Sequence, residues 1–259
     1  INIYKSGNLK KAEQLTNELI GNNPKVVFLY NLLGLILSDQ GKIDKAIECY
    51  EKGLKIDPNY AMIYNNLGYI FFSFPSHKDI KKSENYYKKS ISLDKKLAEP
   101  QNNLGNLYKS LNKYNEAILC FKEAIKKNSK LNFVHHNLAT TYITVGKFDK
   151  AANHFNEAIK ISPNFIIAHR GLSRITKYNK ETKHLKELIK LYQKTTPEDF
   201  QNKMELEFSL GKAHEDFGSF DKSFVYYKEA NEFYRKKINF SINVEKESFK
   251  RIKSTFNKK

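Results

Sequence analysis

Apolar positions along the chain follow the spacing of amphipathic helices that come in pairs. Around Leu33 they recur at i, i+3, i+4 and i+7, and a second such segment is centred on Tyr50. This spacing places the apolar side chains on one face of a helix. Gly41 separates the two segments and Pro58 follows the second, as expected at helix ends. The pattern predicts two helices joined by a tight turn.

The same pattern recurs every 34 residues, with one insertion. Complete copies are predicted at residues 27–60, 61–97, 98–131 and 132–165, and partial copies at residues 1–26 and 166–178. The recurring positions are Leu33, Gly34, Ala46 and Tyr50; Leu67, Gly68, Ser83 and Tyr87; Leu104, Gly105, Ala117 and Phe121; and Leu138, Ala139, Ala151 and Phe155. Such a period is typical of proteins that stack one helical unit on the next.

These residues resemble the tetratricopeptide repeat (TPR). The resemblance implies an all-α TPR solenoid, a right-handed superhelix of antiparallel helix pairs, with about six to seven repeats and a degenerate C-terminal part. Small residues such as Gly34 and Ala46 are expected where two helices cross closely. Aromatic residues such as Tyr50 are expected to fill the space between repeats.

Two stretches depart from the pattern. The repeat at 61–97 carries three extra residues near Pro75, which predicts a surface loop. Residues 179–203 lack a TPR second helix, so a degenerate connecting helix and a subdomain junction are predicted there. A TPR-like hairpin follows at 204–237, and 238–259 is predicted to be a basic terminal helix, from about Asn243 to Phe256, or a linker to a missing domain.

The segment Leu206–Asn231 is similar to the one that follows the repeats in bacterial TPR-containing sulfotransferases. That resemblance implies a parent enzyme transferring sulfate from phosphoadenosine phosphosulfate, with this chain as its non-catalytic, partner-binding arm. The phosphate-binding Pro-Arg-Ser-Gly-Thr loop of that family does not occur before Lys259. Because the chain also starts at Ile1 within a helical pattern, we expect a fragment with a possible C-terminal catalytic domain in the parent.

Composition narrows the functional classes. The longest apolar stretch, Val26–Leu37, has 12 residues, whereas a membrane-spanning helix needs about 20. Two cysteines in 259 residues indicate a cytoplasmic protein without a disulfide framework.

His135 and His169 take the positions of Tyr30 and Tyr64 without a carboxylate or cysteine at ligand spacing, so we interpret them as packing residues and expect no metal. No cofactor and no catalytic motif are recognised, which predicts that this chain is not an enzyme.

The formal charge of +17 is carried mainly by lysine, because only four of the 45 basic residues are arginine. Arginine is the residue that reads bases and clamps phosphates, so nucleic acid is an unlikely partner. Eleven lysines are predicted on the outer surface of the second helices: Lys45, Lys52, Lys55, Lys81, Lys82, Lys88, Lys89, Lys122, Lys126, Lys150 and Lys160.

Asparagines recur on the first helices, which line the concave groove of a TPR stack. A row of carboxamides can pair with the backbone of an extended peptide, and this row resembles the asparagine ladder of O-linked N-acetylglucosamine transferases. The predicted groove residues are Asn31, Asn65, Asn66, Tyr69, Phe72, Asn102, Asn103, Asn106, Lys109, His136, Asn137, Thr140, Arg170, Arg174 and Lys177. Alanine at Asn66, Asn103 and Asn137 is predicted to weaken partner capture without lowering the melting temperature.

The alternative is that these asparagines reflect an Asn-rich composition tolerated in an exposed groove. The groove positions of Val27–Ser110 hold Asn, Tyr and Phe without the paired Lys and Arg of a carboxylate clamp, so that mode of peptide binding is rejected. The sequence therefore predicts a non-catalytic TPR scaffold that binds a protein or peptide, as the arm of a sulfotransferase-like enzyme. The alternatives are a free-standing adaptor, the TPR region of a glycosyltransferase or, less favoured, a nucleic-acid-binding solenoid.

Overall fold

The computed structural model describes residues 1–196, 198–237 and 246–247, and the regular structure in these parts is helical throughout. The helices are α1 (Asn2–Lys5), α2 (Leu9–Asn22), α3 (Val27–Asp39), α4 (Ile43–Ile56), α5 (Ala61–Ser73), α6 (Ile80–Leu93), α7 (Glu99–Ser110), α8 (Tyr114–Lys127), α9 (Asn132–Thr144), α10 (Phe148–Ile161), α11 (Ile166–Ser173), α12 (Lys183–Lys194), α13 (Phe200–Asp216) and α14 (Phe220–Lys237). No helix in these described ranges has the length and apolarity needed to cross a membrane.

The chain forms two compact units, residues 1–147 and 148–259. The division falls inside the repeat predicted at 132–165, earlier than the junction predicted at 179–203. The terminal helix predicted from Asn243 to Phe256 lies outside the described residues. The repeat boundaries and the basic terminal segment remain predictions.

In unit 1 the paired helices meet where a small residue on the first helix faces an aromatic ring on the second. A Cβ built on Gly34 would lie 2.3 Å from the Tyr50 ring, and one on Gly68 would lie 2.7 Å from the Tyr87 ring. Both distances are well inside van der Waals contact, so glycine allows the helices this approach. The expectation that small residues mark close crossings is confirmed.

Serine replaces alanine in the repeat at 61–97, and each hydroxyl bonds a carbonyl of the facing helix. Ser83 Oγ donates to the Gly68 carbonyl at 2.7 Å, and Ser90 Oγ donates to the Ala61 carbonyl at 2.8 Å. Both serines are fully buried. A buried hydroxyl is tolerated when it has a partner, so serine serves as a small packing residue here.

The tight turns between paired helices use left-handed backbone. Gly41 and Gly146 have φ values of 75° and 73°, which confirms the predicted helix ends. Asn112 takes the equivalent place in the repeat at 98–131 with φ 58°. Asparagine is one of the few residues other than glycine that adopts this conformation readily.

The insertion near Pro75 forms a short 3₁₀ turn from Pro75 to His77, as a surface loop was expected there. His77 Nε2 lies 2.9 Å from Asp44 Oδ1 on α4. The Asp79 side chain accepts a hydrogen bond from the Lys82 amide and caps α6. The insertion is therefore anchored at both ends.

Unit 2 begins with α10 and α11, where a Cβ on Gly171 would lie 2.3 Å from the Phe155 ring. Helix α11 ends at Ser173, earlier than the predicted partial repeat. Beyond α11, the backbone amide of Tyr178 donates a hydrogen bond to Asp216 Oδ2 of α13 at 3.0 Å, which attaches this segment to α13. Leu188 of α12 and Leu206 of α13 are fully buried in one apolar cluster, so α12 packs as an amphipathic helix.

Candidate functional site

The asparagines predicted to line the groove lie on the first helices of unit 1, namely α3, α5, α7 and α9. They are joined in one continuous chain of side-chain hydrogen bonds. The bonds run from Asn137 Nδ2 to Asn102 Oδ1 (2.9 Å), Asn102 Nδ2 to Asn103 Oδ1 (3.3 Å), Asn103 Nδ2 to Asn65 Oδ1 (2.9 Å), Asn65 Nδ2 to Asn66 Oδ1 (3.3 Å) and Asn66 Nδ2 to Asn31 Oδ1 (2.9 Å). We call these six residues the asparagine ladder.

The asparagine ladder runs in one direction, since each amide donates to the next towards α3. Four members are buried, namely Asn31, Asn65, Asn66 and Asn102. Asn103 and Asn137 are half-buried. A carboxamide has two N–H groups and an oxygen with two lone pairs, so an interior member uses half of its capacity within the ladder. Asn103 and Asn137 are therefore partly accessible, and the Asn137 side chain also hydrogen-bonds the neighbouring His136.

The ladder also links neighbouring repeats, a role that the sequence analysis did not assign to it. A buried amide that loses its partner costs about 1–3 kcal/mol. Replacement of Asn66, Asn103 and Asn137 by alanine removes several of these bonds at once. The ladder bonds therefore give reason to expect a lower melting temperature for this substitution, in contrast to the expectation from the sequence.

The apolar groove residues of α5 differ in accessibility. Tyr69 is exposed, and its ring meets the Phe74 ring edge-on with the centroids 6.2 Å apart. Phe72 is half-buried and packs against the cluster that contains Tyr87, Leu104 and Leu107. Tyr69 is therefore an exposed aromatic ring on this surface, whereas Phe72 contributes mainly to packing between repeats.

A lysine lies at the other end of this surface, where α7 faces α9. Lys109 Nζ donates to Thr140 Oγ1 at 2.7 Å, and burial lowers the pKa of Lys109. Burial also lowers the pKa of His136, and the nearby charge of Lys109 acts in the same direction. Asn106 is half-buried on α7. This end of the surface therefore presents hydrogen-bond donors around one cation.

The three groove residues predicted in unit 2 behave differently from one another. Arg170 is half-buried over the Phe208 ring, and its Nε lies 3.6 Å from Glu205 Oε2. Lys177 Nζ lies 3.2 Å from Asp216 Oδ1. Arg174 is exposed. Arg170 and Lys177 are thus paired with carboxylates of α13, and both Lys177 and Arg174 are exposed.

His135 and His169 occupy positions that hold tyrosine in other repeats, and they make the same hydrogen bond to the backbone as those tyrosines do. Tyr30 and Tyr64 each donate from the hydroxyl to the carbonyl six residues earlier, at 3.0 Å. His135 Nε2 lies 3.3 Å from the Ser129 carbonyl, and His169 Nε2 lies 2.9 Å from the Pro163 carbonyl. Both histidines therefore take over the same contact, which confirms the equivalence of these positions.

The sequence analysis missed the surroundings of His169. His169 Nδ1 lies 3.0 Å from His184 Nε2, and His184 Nδ1 lies 2.7 Å from the Tyr178 hydroxyl. Glu187 has a carboxylate oxygen within 4.8 Å of both rings. The premise that His169 has no carboxylate neighbour is wrong, because His184 and Glu187 sit three residues apart on one face of α12. That spacing was the available signal.

A buried carboxyl in unit 2 was also missed. Glu207 is 1% exposed, and its Oε2 has no hydrogen-bond partner among the described residues. Burial, reinforced by the charge of Glu229, raises the pKa of Glu207 to about 7. Lys203 and the Tyr192 hydroxyl, which lies 3.4 Å from Oε1, act in the opposite direction. Nothing in a TPR-like repeat pattern marks this position.

Comparison with known families agrees with the helix pairs. A profile described as TPR repeat matches residues 34–73, and profiles described as tetratricopeptide repeat match residues 98–131 and 133–165. A protein described as the uncharacterized protein ycf37 of Pyropia yezoensis is 39% identical over 67 residues. That match spans 26% of this chain and 36% of the relative.

Solved structures share the fold at low sequence identity. A solved structure of Pseudomonas aeruginosa pilF has a TM-score of 0.62 at 21% identity, and the match covers 83% of this chain and 99% of that one. YrrB, described as a TPR protein with an unusual peptide-binding site, has a TM-score of 0.51 at 16% identity, covering 84% and 100%. The chain thus carries tetratricopeptide repeats, and its fold is the all-α TPR solenoid.

Proposed function

We propose that this chain is a non-catalytic scaffold that binds an extended segment of a partner protein on the first-helix surface of unit 1. The supporting observation is that Asn103 and Asn137, the two half-buried members of the ladder, have more hydrogen-bonding groups than their ladder bonds use. Because the ladder holds these amides in fixed orientations, a peptide backbone can pair with them at little entropic cost. Each bond contributes about 0.5–1.5 kcal/mol net, so further contacts are needed for useful affinity.

Those contacts come from residues on both sides of the two amides. Tyr69 offers an exposed aromatic ring, and Asn106 adds a half-buried carboxamide. Lys109 adds a positive charge at the end near α9. A ligand with an apolar side chain and an acidic group, separated by extended backbone, fits this order. YrrB, which has this fold, is described as having a peptide-binding site, so peptide binding is compatible with it.

In unit 2, the same proposal assigns partner binding to Arg174, with Arg170 and Lys177 next to it on α11 and the segment that follows. Arg174 is exposed, so an acidic ligand can reach its guanidinium group. Arg170 and Lys177 already face Glu205 and Asp216, so their contribution requires exchange of an ion pair. Exposed ion pairs are weak, which makes such an exchange inexpensive at Lys177.

The binding proposal is tested by selection from a random peptide library on the intact chain. We expect wild type to enrich peptides, and the double variant Tyr69→Ala/Asn106→Ala to lose at least tenfold in affinity for them. Neither residue belongs to the ladder, so the melting temperature is expected to change little. The matched control is Lys52→Ala on the second helix α4, which should bind as wild type does. Enriched peptides that bind the double variant unchanged contradict the proposal.

A finer part of the proposal concerns the parent protein. The likeness of Leu206–Asn231 to bacterial TPR-containing sulfotransferases supports a sulfotransferase parent, and these residues occupy α13 and α14. The codons that follow Lys259 in the gene decide the point. A Pro-Arg-Ser-Gly-Thr loop shortly afterwards supports a sulfotransferase parent. A stop codon favours the free-standing adaptor, and a glycosyltransferase domain favours the O-linked N-acetylglucosamine type.

A further inference from the structure

Three metal-binding side-chain types meet in unit 2, away from the proposed peptide surface. His169 lies on α11, and His184 and Glu187 lie on consecutive turns of α12. One ligand atom from each lies within 4.8 Å of the other two. The two facing ring nitrogens, His169 Nδ1 and His184 Nε2, are 3.0 Å apart. Two imidazoles and a carboxylate are a common ligand set for zinc.

The backbone fixes the tautomer of His169. Its Nε2 lies 2.9 Å from the Pro163 carbonyl, which only accepts hydrogen bonds, so Nε2 carries the proton. In neutral His169 the lone pair is therefore on Nδ1 and faces His184. Metal-ligating histidines usually donate their other N–H to a carbonyl or carboxylate in this way.

His184 can adopt either neutral tautomer. With its proton on Nε2 it donates to His169 and accepts from the Tyr178 hydroxyl, 2.7 Å from Nδ1. With its proton on Nδ1 it donates to that hydroxyl, and its Nε2 lone pair then faces the lone pair of His169. Two opposed lone pairs at 3.0 Å repel each other unless a cation lies beside them. A metal ion would therefore select the second tautomer without any net release of protons from the pair.

The Tyr178 hydroxyl can accept the hydrogen bond that the Nδ1–H of His184 donates in this second tautomer. Ser173 and Thr176 lie beside it and lower its pKa, while burial raises it to about 12 overall. When the Tyr178 oxygen accepts a hydrogen bond from His184, its own O–H can donate to the hydroxyl oxygen of Ser173 or Thr176. Both imidazoles are buried, which disfavours their charged forms.

A cleft of about 570 Å³ gives access to this group, with His169 and Glu187 in its wall. Four lysines also line it, namely Lys160, Lys183, Lys190 and Lys194. Their charges oppose a bare cation, whereas Glu187 and an anion in an open coordination position offset them. The surroundings therefore favour a bound metal ion that also carries hydroxide, carboxylate or phosphate.

We propose that His169 Nδ1, His184 Nε2 and the Glu187 carboxylate bind one divalent zinc-type ion, with the fourth coordination position open to the lysine-lined cleft. Tetrahedral coordination requires the two rings to part slightly from their present separation. The two nitrogens now face each other in hydrogen-bond geometry, so each ring must rotate by about 35° for its lone pair to point at a tetrahedral ion beside the line that joins them. Such a site can hold an anionic ligand or link unit 2 to a partner's carboxylate.

The test uses the full chain after dialysis against a chelator, titrated with Zn²⁺ by calorimetry and with Co²⁺ by visible absorption. We expect one Zn²⁺ per chain, a visible band typical of tetrahedral Co²⁺, and a higher melting temperature with zinc. The variants His184→Gln and Glu187→Gln should each lose affinity by about 10–100-fold or more. Glu187 is only half-buried, so Glu187→Gln decides the matter if His184→Gln does not fold.

The matched control is His77→Gln, which removes a histidine of unit 1 that faces a carboxylate on the surface. It should leave zinc binding unchanged. The proposal is overturned if wild type shows no saturable 1:1 binding. It is equally overturned if Glu187→Gln binds zinc as tightly as wild type, because the His169–His184–Tyr178 contacts then form a hydrogen-bonded relay and no more.

Discussion

A glycine facing an aromatic ring is the contact that most tightly limits the helix pairs at the scale of single residues. It occurs in unit 1 as Gly34 against Tyr50 and Gly105 against Phe121, and in unit 2 as Gly211 against Tyr227. In each case an added Cβ would come within 2.3–2.8 Å of the ring. The Tyr50 and Phe121 rings are fully buried, whereas the Tyr227 ring is half-buried, so in the first two pairs the helices themselves have to move apart.

We expect Gly34→Ala to destabilise the protein by about 1–3 kcal/mol, because the new methyl group overlaps the buried Tyr50 ring. Thermal unfolding followed by circular dichroism measures the change. The matched control is Gly21→Ala on α2, where no atom lies within 4 Å of the new Cβ. There alanine should raise stability by about 0.5–1 kcal/mol through helix propensity. Equal effects at both sites would refute the role assigned to the ring contact.

Glu207 gives a second prediction at this scale, concerning pH. Its pKa is raised to about 7 in the folded chain, while the unfolded value lies near the ordinary one for glutamate. The unfolded state therefore loses its proton first as pH rises, and stability falls between about pH 4.5 and 7. We expect the melting temperature to drop more in wild type than in Glu207→Gln when pH is raised from about 5 to about 8.

The difference between the two proteins isolates Glu207 from every other titrating group. Glu229, Lys203 and Tyr192 face it and are present in both proteins. Parallel pH profiles of melting temperature would show that the carboxyl is solvated and ionises normally.

Among the helices, the asparagine ladder connects α3, α5, α7 and α9 by side-chain hydrogen bonds rather than by apolar contact alone. Asn65 is an interior member that accepts from Asn103 and donates to Asn66. A donor and an acceptor both lose their partner if its carboxamide is removed. The ladder therefore sets the register between adjacent first helices, in addition to any contact with a ligand.

We expect Asn65→Ala to lower the free energy of unfolding by about 1–3 kcal/mol, since it leaves buried polar groups unpaired. Chemical denaturation measures this quantity. The control is Asn17→Ala on α2, where an exposed asparagine bonds only the Glu13 carbonyl of its own helix. That change should be neutral or slightly stabilising because alanine favours helices. A neutral Asn65→Ala would mean that water replaces the ladder bonds.

At the scale of the whole molecule, the excess of lysine is the dominant surface property. The eleven lysines predicted on the second helices are all exposed, as expected. In unit 1 they lie on α4, α6 and α8, and in unit 2 they lie on α10. An array of this kind attracts polyanions through screened, long-range forces.

We accordingly expect retention on a heparin column at low ionic strength and elution at or below about 0.15 M salt. Binding of this kind is driven by the release of counterions, so it weakens steeply as the salt concentration rises. The chain has few arginines that could add salt-resistant contacts. Retention well above that concentration would restore the nucleic-acid-binding alternative. Lysozyme, a basic protein without a nucleic-acid function, is a suitable column control.

Spacing along the sequence was enough to predict the helix pairs, their turns, the small residues at close helix crossings and the outward lysines. Each of these follows from periodicity within one or two adjacent helices. Tertiary structure alone decided that the asparagines pair with one another, that His169 meets His184 and Glu187, and that Glu207 is buried. Those arrangements depend on distances between side chains of separate helices. Helical periodicity gives the face on which a residue lies, whereas its partner is set by how the neighbouring helices pack.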